Sequence, residues 1–236
     1  MAKNNSSNAS PEAGVVLSHM PAIDGLRGIA ILIVMIHHLT PAVSGSLFTR
    51  RMLEVAHTGW IGVDLFFVLS GFLITAILLR TRSSEDYFIN FFARRTLRIF
   101  PLYYITLGVL LLGVPALMTM PHVGHFMNEW FGRITRDLQV MLDGQSWLWM
   151  YGTNLKIAIE GERWGAVNHF WSLAVEEHFY LVWPIVVYYA SRAGLIKICM
   201  ICILGAPVLR AMLMLAGFDS VVPYVLTPCR VDSLAM

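Results

Sequence analysis

The chain has 236 residues, 57% of them hydrophobic and only 14% charged, with a formal net charge of +2 and a mean hydropathy of +0.64. Soluble domains hold roughly 45–50% apolar and about 25% charged residues, so this balance excludes an ordinary soluble domain and reads as an integral membrane protein. A charge this small, with no long Lys/Arg run, excludes a nucleic-acid partner and leaves the arginine clusters as membrane-flank charges.

Residues 1–20 are rich in Ser, Asn and Ala and lack the charged–apolar–small order of a cleaved signal peptide. They predict a disordered cytoplasmic tail. Apolar windows near the roughly 20 residues that cross a bilayer follow at Ile23–Val43, Trp60–Leu79, Ile99–Met120, Phe170–Ala190 and Ile198–Ala216. A weaker window, Leu138–Leu155, contains Asp143 and Gln145, and another begins near Val221 and is cut off at Met236. The predicted fold class is all-α: a polytopic transmembrane bundle of about six spanning helices plus the start of a seventh, with residues 21–236 as one domain.

Lys/Arg placement orients the bundle. The link between the second and third windows carries Arg80, Arg82, Arg94, Arg95 and Arg98, and placing it in the cytoplasm puts the N-terminus inside. Cys199-x-x-Cys202 sits in an apolar run without a second pair or a histidine partner, and reads as helix packing. Cys229 stands apart from that pair.

In the first window Arg27 and His38 are eleven residues apart, which puts them within about 20° of one helical face and about 16 Å apart along the axis. A neutral histidine deep in a bundle suits proton abstraction from a hydroxyl, or is simply satisfied by a neighbouring hydroxyl or carbonyl. The second window carries Gly62-Val63-Asp64-Leu65-Phe66-Phe67-Val68-Leu69-Ser70-Gly71. Its glycines permit close helix approach, and a buried Asp64 needs a cation, with Arg27 one candidate. Arg95 and Arg98, three apart, share a helix face. They could hold the phosphates of a nucleotide-like donor or anchor lipid headgroups.

The run from Asn168 to Pro184 places Glu176, Glu177 and His178 in aromatic, apolar surroundings where charge is costly. Ser172, Glu176 and Tyr180 repeat every fourth residue as one polar stripe, from which Glu177 and His178 fall away. Glu176 could orient and stabilise a protonated His38 or staple two helices by a hydrogen bond. His19-x4-Asp24, with Pro21 inside it, is a chance match to a lipid-surface acyltransferase spacing. No nucleophile elbow, P-loop, dinucleotide fingerprint or zinc-protease motif is present.

Taken in order, these blocks resemble the acyltransferase-3 family, integral-membrane O-acyltransferases that decorate bacterial envelope and secreted glycans. Arg27-x10-His38 is similar to its first-helix pair, and Gly62 to Ile74 to its second-helix block. Arg95-x-x-Arg98-Ile99-x-Pro101 is similar to its third-helix mouth, Trp171-Ser172-Leu173-x-x-Glu176-x-x-Phe179-Tyr180 to its glutamate block, and Arg230-x-Asp232 to a later short motif. The resemblance implies an acyltransferase (of groups other than aminoacyl) that moves an acyl group, acetyl foremost, from acyl-CoA to a hydroxyl of a glycan or glycolipid. It implies His38, Glu176 and Arg27 as catalytic and Arg95 and Arg98 as donor-binding, with Asp64, Ser70, Trp171, Ser172, Tyr180, Arg230 and Asp232 in support. Acyl-CoA is then a co-substrate, with no cofactor or metal, and the expected site is the bacterial inner membrane among its lipids. Family members have about ten helices, so the chain is expected to be the N-terminal part of a longer protein. Two alternatives stay open: a transporter of an acyl donor or small carboxylate, with Glu176, Asp64 and His38 as an ion path, or an inactive remnant.

Overall fold

The computed structural model describes residues 21–39, 61–161 and 164–236, the side chains of 21, 24, 37–39, 126–131, 133–136 and 166 excepted. The predicted tail over residues 1–20 and the side chain of His38 thus lie outside the described residues.

Among the described residues eleven α-helices follow one another: α1 (Pro21–Leu39), α2 (Ile61–Thr81), α3 (Tyr87–Gly108), α4 (Val114–Met118), α5 (Pro121–Asp143), α6 (Gln145–Trp149), α7 (Thr153–Glu160), α8 (Phe170–Tyr189), α9 (Arg192–Leu215), α10 (Val221–Val225) and α11 (Val231–Ala235). A π-helical turn, Val109–Gly113, joins α3 to α4 without a break, so Tyr87–Met118 is one 32-residue helical run.

Among the described residues, three helices are long and apolar enough to cross a membrane: Ile61–Thr81, Tyr87–Met118 and Arg192–Leu215. This corrects the expected six spans and the start of a seventh. The Leu138–Leu155 window is cut by turns at Gly144 and at Met150–Gly152, so it is shared between the end of α5, α6 and the start of α7. The region from Val221 breaks into two five-residue helices around a 3-10 turn, Thr227–Cys229. In α1 the shorter stretch Gly25–Ile36 is the apolar part. α8 has the length, but Glu176, Glu177, His178 and its tyrosines keep it below the required apolarity. Hydropathy windows register apolar composition whether or not the backbone stays helical through it, and the turns decide that. α9 is the clearest lipid-facing element, since only 6% of its apolar window is buried within the molecule. Ser191 caps its start by accepting a hydrogen bond from the Gly194 amide at 3.0 Å.

α2 is the central element and packs against α1, α8 and α11. Its glycines make this possible. A Cβ at Gly62 would stand 2.8 Å from the Ala30 carbonyl oxygen, and one at Gly71 only 1.9 Å from the Leu234 carbonyl oxygen. Backbones thus meet at contact distance, the usual role of small residues between helices in a bilayer. Gly71→Val should cost about 2–3 kcal/mol, because the obstructing atom is backbone and cannot rotate away. Thermal unfolding in detergent would read it, and a variant as stable as the parent would count against the α2–α11 seat.

The turn Arg82–Asp86 carries α2 into α3, closed by Ser84 N–H donating to the Thr81 carbonyl (2.9 Å) and Tyr87 N–H to the Ser84 carbonyl (3.2 Å). α3 therefore begins at Tyr87, twelve residues ahead of the apolar window at Ile99. Arg94, Arg95 and Arg98 lie within the helix, where their long aliphatic stems pack while their charges reach polar space. α8 runs in the same direction as α2. Phe67 meets Trp171 edge-on at 6.2 Å, Trp183 Nε1 donates to Thr75 Oγ1 at 2.8 Å, and Arg82 donates to the Tyr188 carbonyl at 2.7 Å. Tyr87, buried at the start of α3, donates its hydroxyl to the Pro184 carbonyl at 3.0 Å and ties α3 to the end of α8.

Candidate functional site

Where α1, α2 and α3 converge they leave a cavity of about 480 Å³. Arg27 enters it from α1, Arg80 from α2, and Arg94, Arg95 and Arg98 from α3, beside Ser84 and Asn90. Leu73, Ile74, Ile77 and Phe91 give it an apolar floor, and no carboxylate among the described residues lines it. The short α2–α3 turn brings Arg80 to the arginines of α3, and the antiparallel packing of α1 on α2 adds Arg27, stacked 5.1 Å over the Phe66 ring. The Nε of Arg27 is buried and has no hydrogen-bond partner among the described residues. Guanidiniums gathered around a partly apolar space are chemically suited to a multiply charged anion such as phosphate, which they can bind by charge-assisted, bidentate bonds.

From this cavity a contact leads into α8. The Arg95 guanidinium lies 4.1 Å over the ring of Tyr180, whose hydroxyl donates to Glu176 Oε1 at 2.5 Å. Glu176 is 4% exposed and Tyr180 2%. The Ser172–Glu176–Tyr180 stripe is thus joined only in its lower half. Ser172 Oγ instead donates to the His169 carbonyl at 2.9 Å, closing the first turn of α8.

Asp64 pairs with Arg230 at 3.2 Å, so the candidate partnership with Arg27 gives way to one with the far end of the chain. Ser233 donates to the same Asp64 oxygen at 3.3 Å. Arg230 also lies over Tyr224 at 4.6 Å and Trp171 at 5.7 Å. Asp232 accepts from Arg210 at 2.7 Å, and Arg210 also donates to the Cys229 carbonyl. Burial pushes the Tyr224 phenol above its ordinary range, against the pull of Arg230. Ser70 is fully buried on α2, its hydroxyl without a partner among the described residues. Asp64, Trp171, Arg230 and Asp232 thus form a latch that fastens α11 to α2, α8 and α9. Arg230→Ala should cost about 2 kcal/mol. That is less than the roughly 3–5 kcal/mol of a fully buried pair, because the Asp64 side chain keeps 31% of its exposure. Unfolding midpoints of Arg230→Ala and Arg230→Lys would check this, and equal midpoints for all three proteins would dismiss the latch.

Arg27, Arg95 and Arg98 therefore share one cavity, and Glu176 touches it through Tyr180. The backbone of His38 is in the last turn of α1, and its side chain lies outside the described residues. Sequence reasoning missed Arg80, Arg94, Ser84 and Asn90 as cavity residues. The density of five arginines in the link is the available signal; it orients the chain, and of the five only Arg95 and Arg98 read as donor-binding in sequence. It also set Glu177 and His178 aside. His178 Nδ1 lies 2.9 Å from Thr227 Oγ1, and Glu177 Oε1 is buried without a partner among the described residues. Tyr151, in the left-handed region at φ 53° and stacked 4.1 Å from Tyr103, also buries an unpartnered hydroxyl.

A family model described as an acyltransferase domain, acyltransferase 3, matches residues 20–226. The chain belongs to the acyltransferase-3 family. It is 30% identical to YrhL of Bacillus subtilis over 208 residues, covering 85% of this chain and 30% of that protein. It is 31% identical over 168 residues to the peptidoglycan O-acetyltransferase OatA of Listeria monocytogenes, covering 70% of this chain and 24% of that one. With the O-acetyltransferase OatA of Staphylococcus aureus the figures are 32% over 176 residues, 72% and 25%. The chain thus spans 24–30% of the length of these curated relatives. No solved structure matches it.

Proposed function

We propose that this chain forms the donor-binding, membrane-embedded part of an O-acyltransferase that moves an acetyl group from acetyl-CoA to a hydroxyl of a bacterial envelope or exported glycan. The cavity that gathers five arginines carries this reading, and the O-acetyltransferase relatives supply the acyl group and the glycan. The phosphates of the donor dock against Arg95 and Arg98 from the cytoplasmic side of the inner membrane, with Arg27 compensating charge deeper in. The thioester arm reaches into the bundle toward His38, about 16 Å along α1 from Arg27.

His38 removes the proton of the acceptor hydroxyl, whose oxygen attacks the thioester carbonyl carbon. The C–S bond breaks, the acyl group stays on oxygen, and the CoA thiolate leaves and takes up a proton. Glu176, held by Tyr180 beside the cavity, fixes the arginine wall against which the donor lies. The apolar floor of the cavity limits the competing attack by water.

Combining Arg95→Ala with Arg98→Ala should weaken CoA binding roughly 100-fold, the size expected for losing two charge-assisted contacts. Isothermal titration of CoA into the full-length protein in nanodiscs measures this. An affinity unchanged by both substitutions would dismiss the donor seat.

A further inference from the structure

We infer that Tyr180 is a positioning residue that joins the donor seat to the carboxylate of α8, its ring holding Arg95 in the cavity wall and its hydroxyl holding Glu176. This rests on the donor-binding reading above and assigns a role to a side chain that touches neither substrate. Tyr180 is buried, and its two faces of contact go to different helices. The ring faces the Arg95 guanidinium of α3 at 4.1 Å, and the hydroxyl donates within α8 to Glu176 Oε1 at 2.5 Å.

A guanidinium over a desolvated aromatic face is attracted by the ring quadrupole. A lining arginine is otherwise a long, rotatable side chain, so stacking keeps its remaining donors turned toward an arriving anion. At the other end, a buried carboxylate without a donor would pay its full desolvation cost, and the phenol supplies that donor.

Pro184 has no N–H, so the Tyr180 carbonyl lacks its helical donor and α8 misses a rung in the turn that follows Tyr180. A bond between residues four apart on one helix is often a local staple. The Arg95 stack takes this one across to α3 and into the cavity.

Tyr180→Phe separates the two roles, because it keeps the ring and removes the hydroxyl. In the full-length protein in nanodiscs, CoA affinity should stay within about twofold, and turnover at saturating acetyl-CoA should fall about tenfold or more. Tyr180→Leu removes the stack as well and should weaken CoA binding about fivefold, in the range of one desolvated cation–π contact. Combining Tyr180→Phe with Glu176→Gln should be no slower than Glu176→Gln alone, since Tyr180 acts on turnover through the charge of Glu176. Parent-like turnover in Tyr180→Phe, or effects that multiply in the double variant, would overturn the inference. That holds even where Tyr180→Leu fails to fold. Arg95→Ala is the control: if CoA binds the parent and Arg95→Ala equally, the donor seat itself is wrong. If Arg95→Ala weakens CoA and Tyr180→Phe changes nothing, only the role of Tyr180 is lost.

Discussion

Changing His38 to alanine is expected to lower acyl transfer about 10³-fold, within the range contributed by a positioned general base, and to leave the protein in the membrane. An acceptor hydroxyl is a weak nucleophile until its proton has somewhere to go, and an imidazole takes it near neutral pH where a carboxylate or an arginine does not. His38 lies in the last turn of α1, and α1 runs antiparallel to α2, with Arg27 level with Phe66 and Ala30 level with Gly62. The histidine is thus at the opposite end of α1 from the guanidinium that enters the cavity. That separation suits a donor whose phosphates and thioester are far apart. Mass spectrometry of envelope and exported glycans, from cells carrying the substitution at the native locus, should show one O-acyl ester missing. A full ester profile, with the variant protein present at the parental level, would remove His38 from the mechanism and favour movement of a donor without chemistry.

Glu176→Gln should reduce transfer about 100-fold while changing stability by less than about 1 kcal/mol. Glutamine matches glutamate in shape and still offers the Tyr180 hydroxyl an acceptor, so the 2.5 Å bond is replaced by a neutral one. What is lost is the negative charge that, through Tyr180, holds the Arg95 wall of the donor seat in place, and such fixed electrostatics are a major catalytic contribution. Glu176→Ala is less informative, because it also strands the buried Tyr180 hydroxyl, at about 1–3 kcal/mol. Measuring turnover and unfolding side by side separates the two readings of this glutamate. Retained turnover in Glu176→Gln would make it a structural staple only.

The glutamate run shows how much of the site was legible. A carboxylate amid Phe170, Trp171, Phe179 and Trp183 stands out in sequence, because the surrounding composition sets the cost of a charge. Its partner does not stand out. Tyr180 was assigned to the same stripe from helical periodicity, yet Arg95 lies on another helix and periodicity has no reach across helices. Asp64 makes the same point. Its need for a cation was readable, with Arg27 as the named candidate. Only the packing of α11 on Gly71 decided for Arg230.

By itself the sequence determined the membrane character, the helical class and the family, because these depend on composition, local periodicity and blocks of residues in fixed order. It overcounted the spans, because apolar composition continues through Gly144 and Gly152, where the backbone turns. The tertiary structure alone decided that arginines from α1, α2 and α3 meet around one space, that Tyr180 bridges that space to Glu176, and that the residues before Met236 latch onto α2. The reason is physical: each depends on which helix faces meet, and that is set by where glycines let backbones touch and by which buried charges must be neutralised at a distance in the chain.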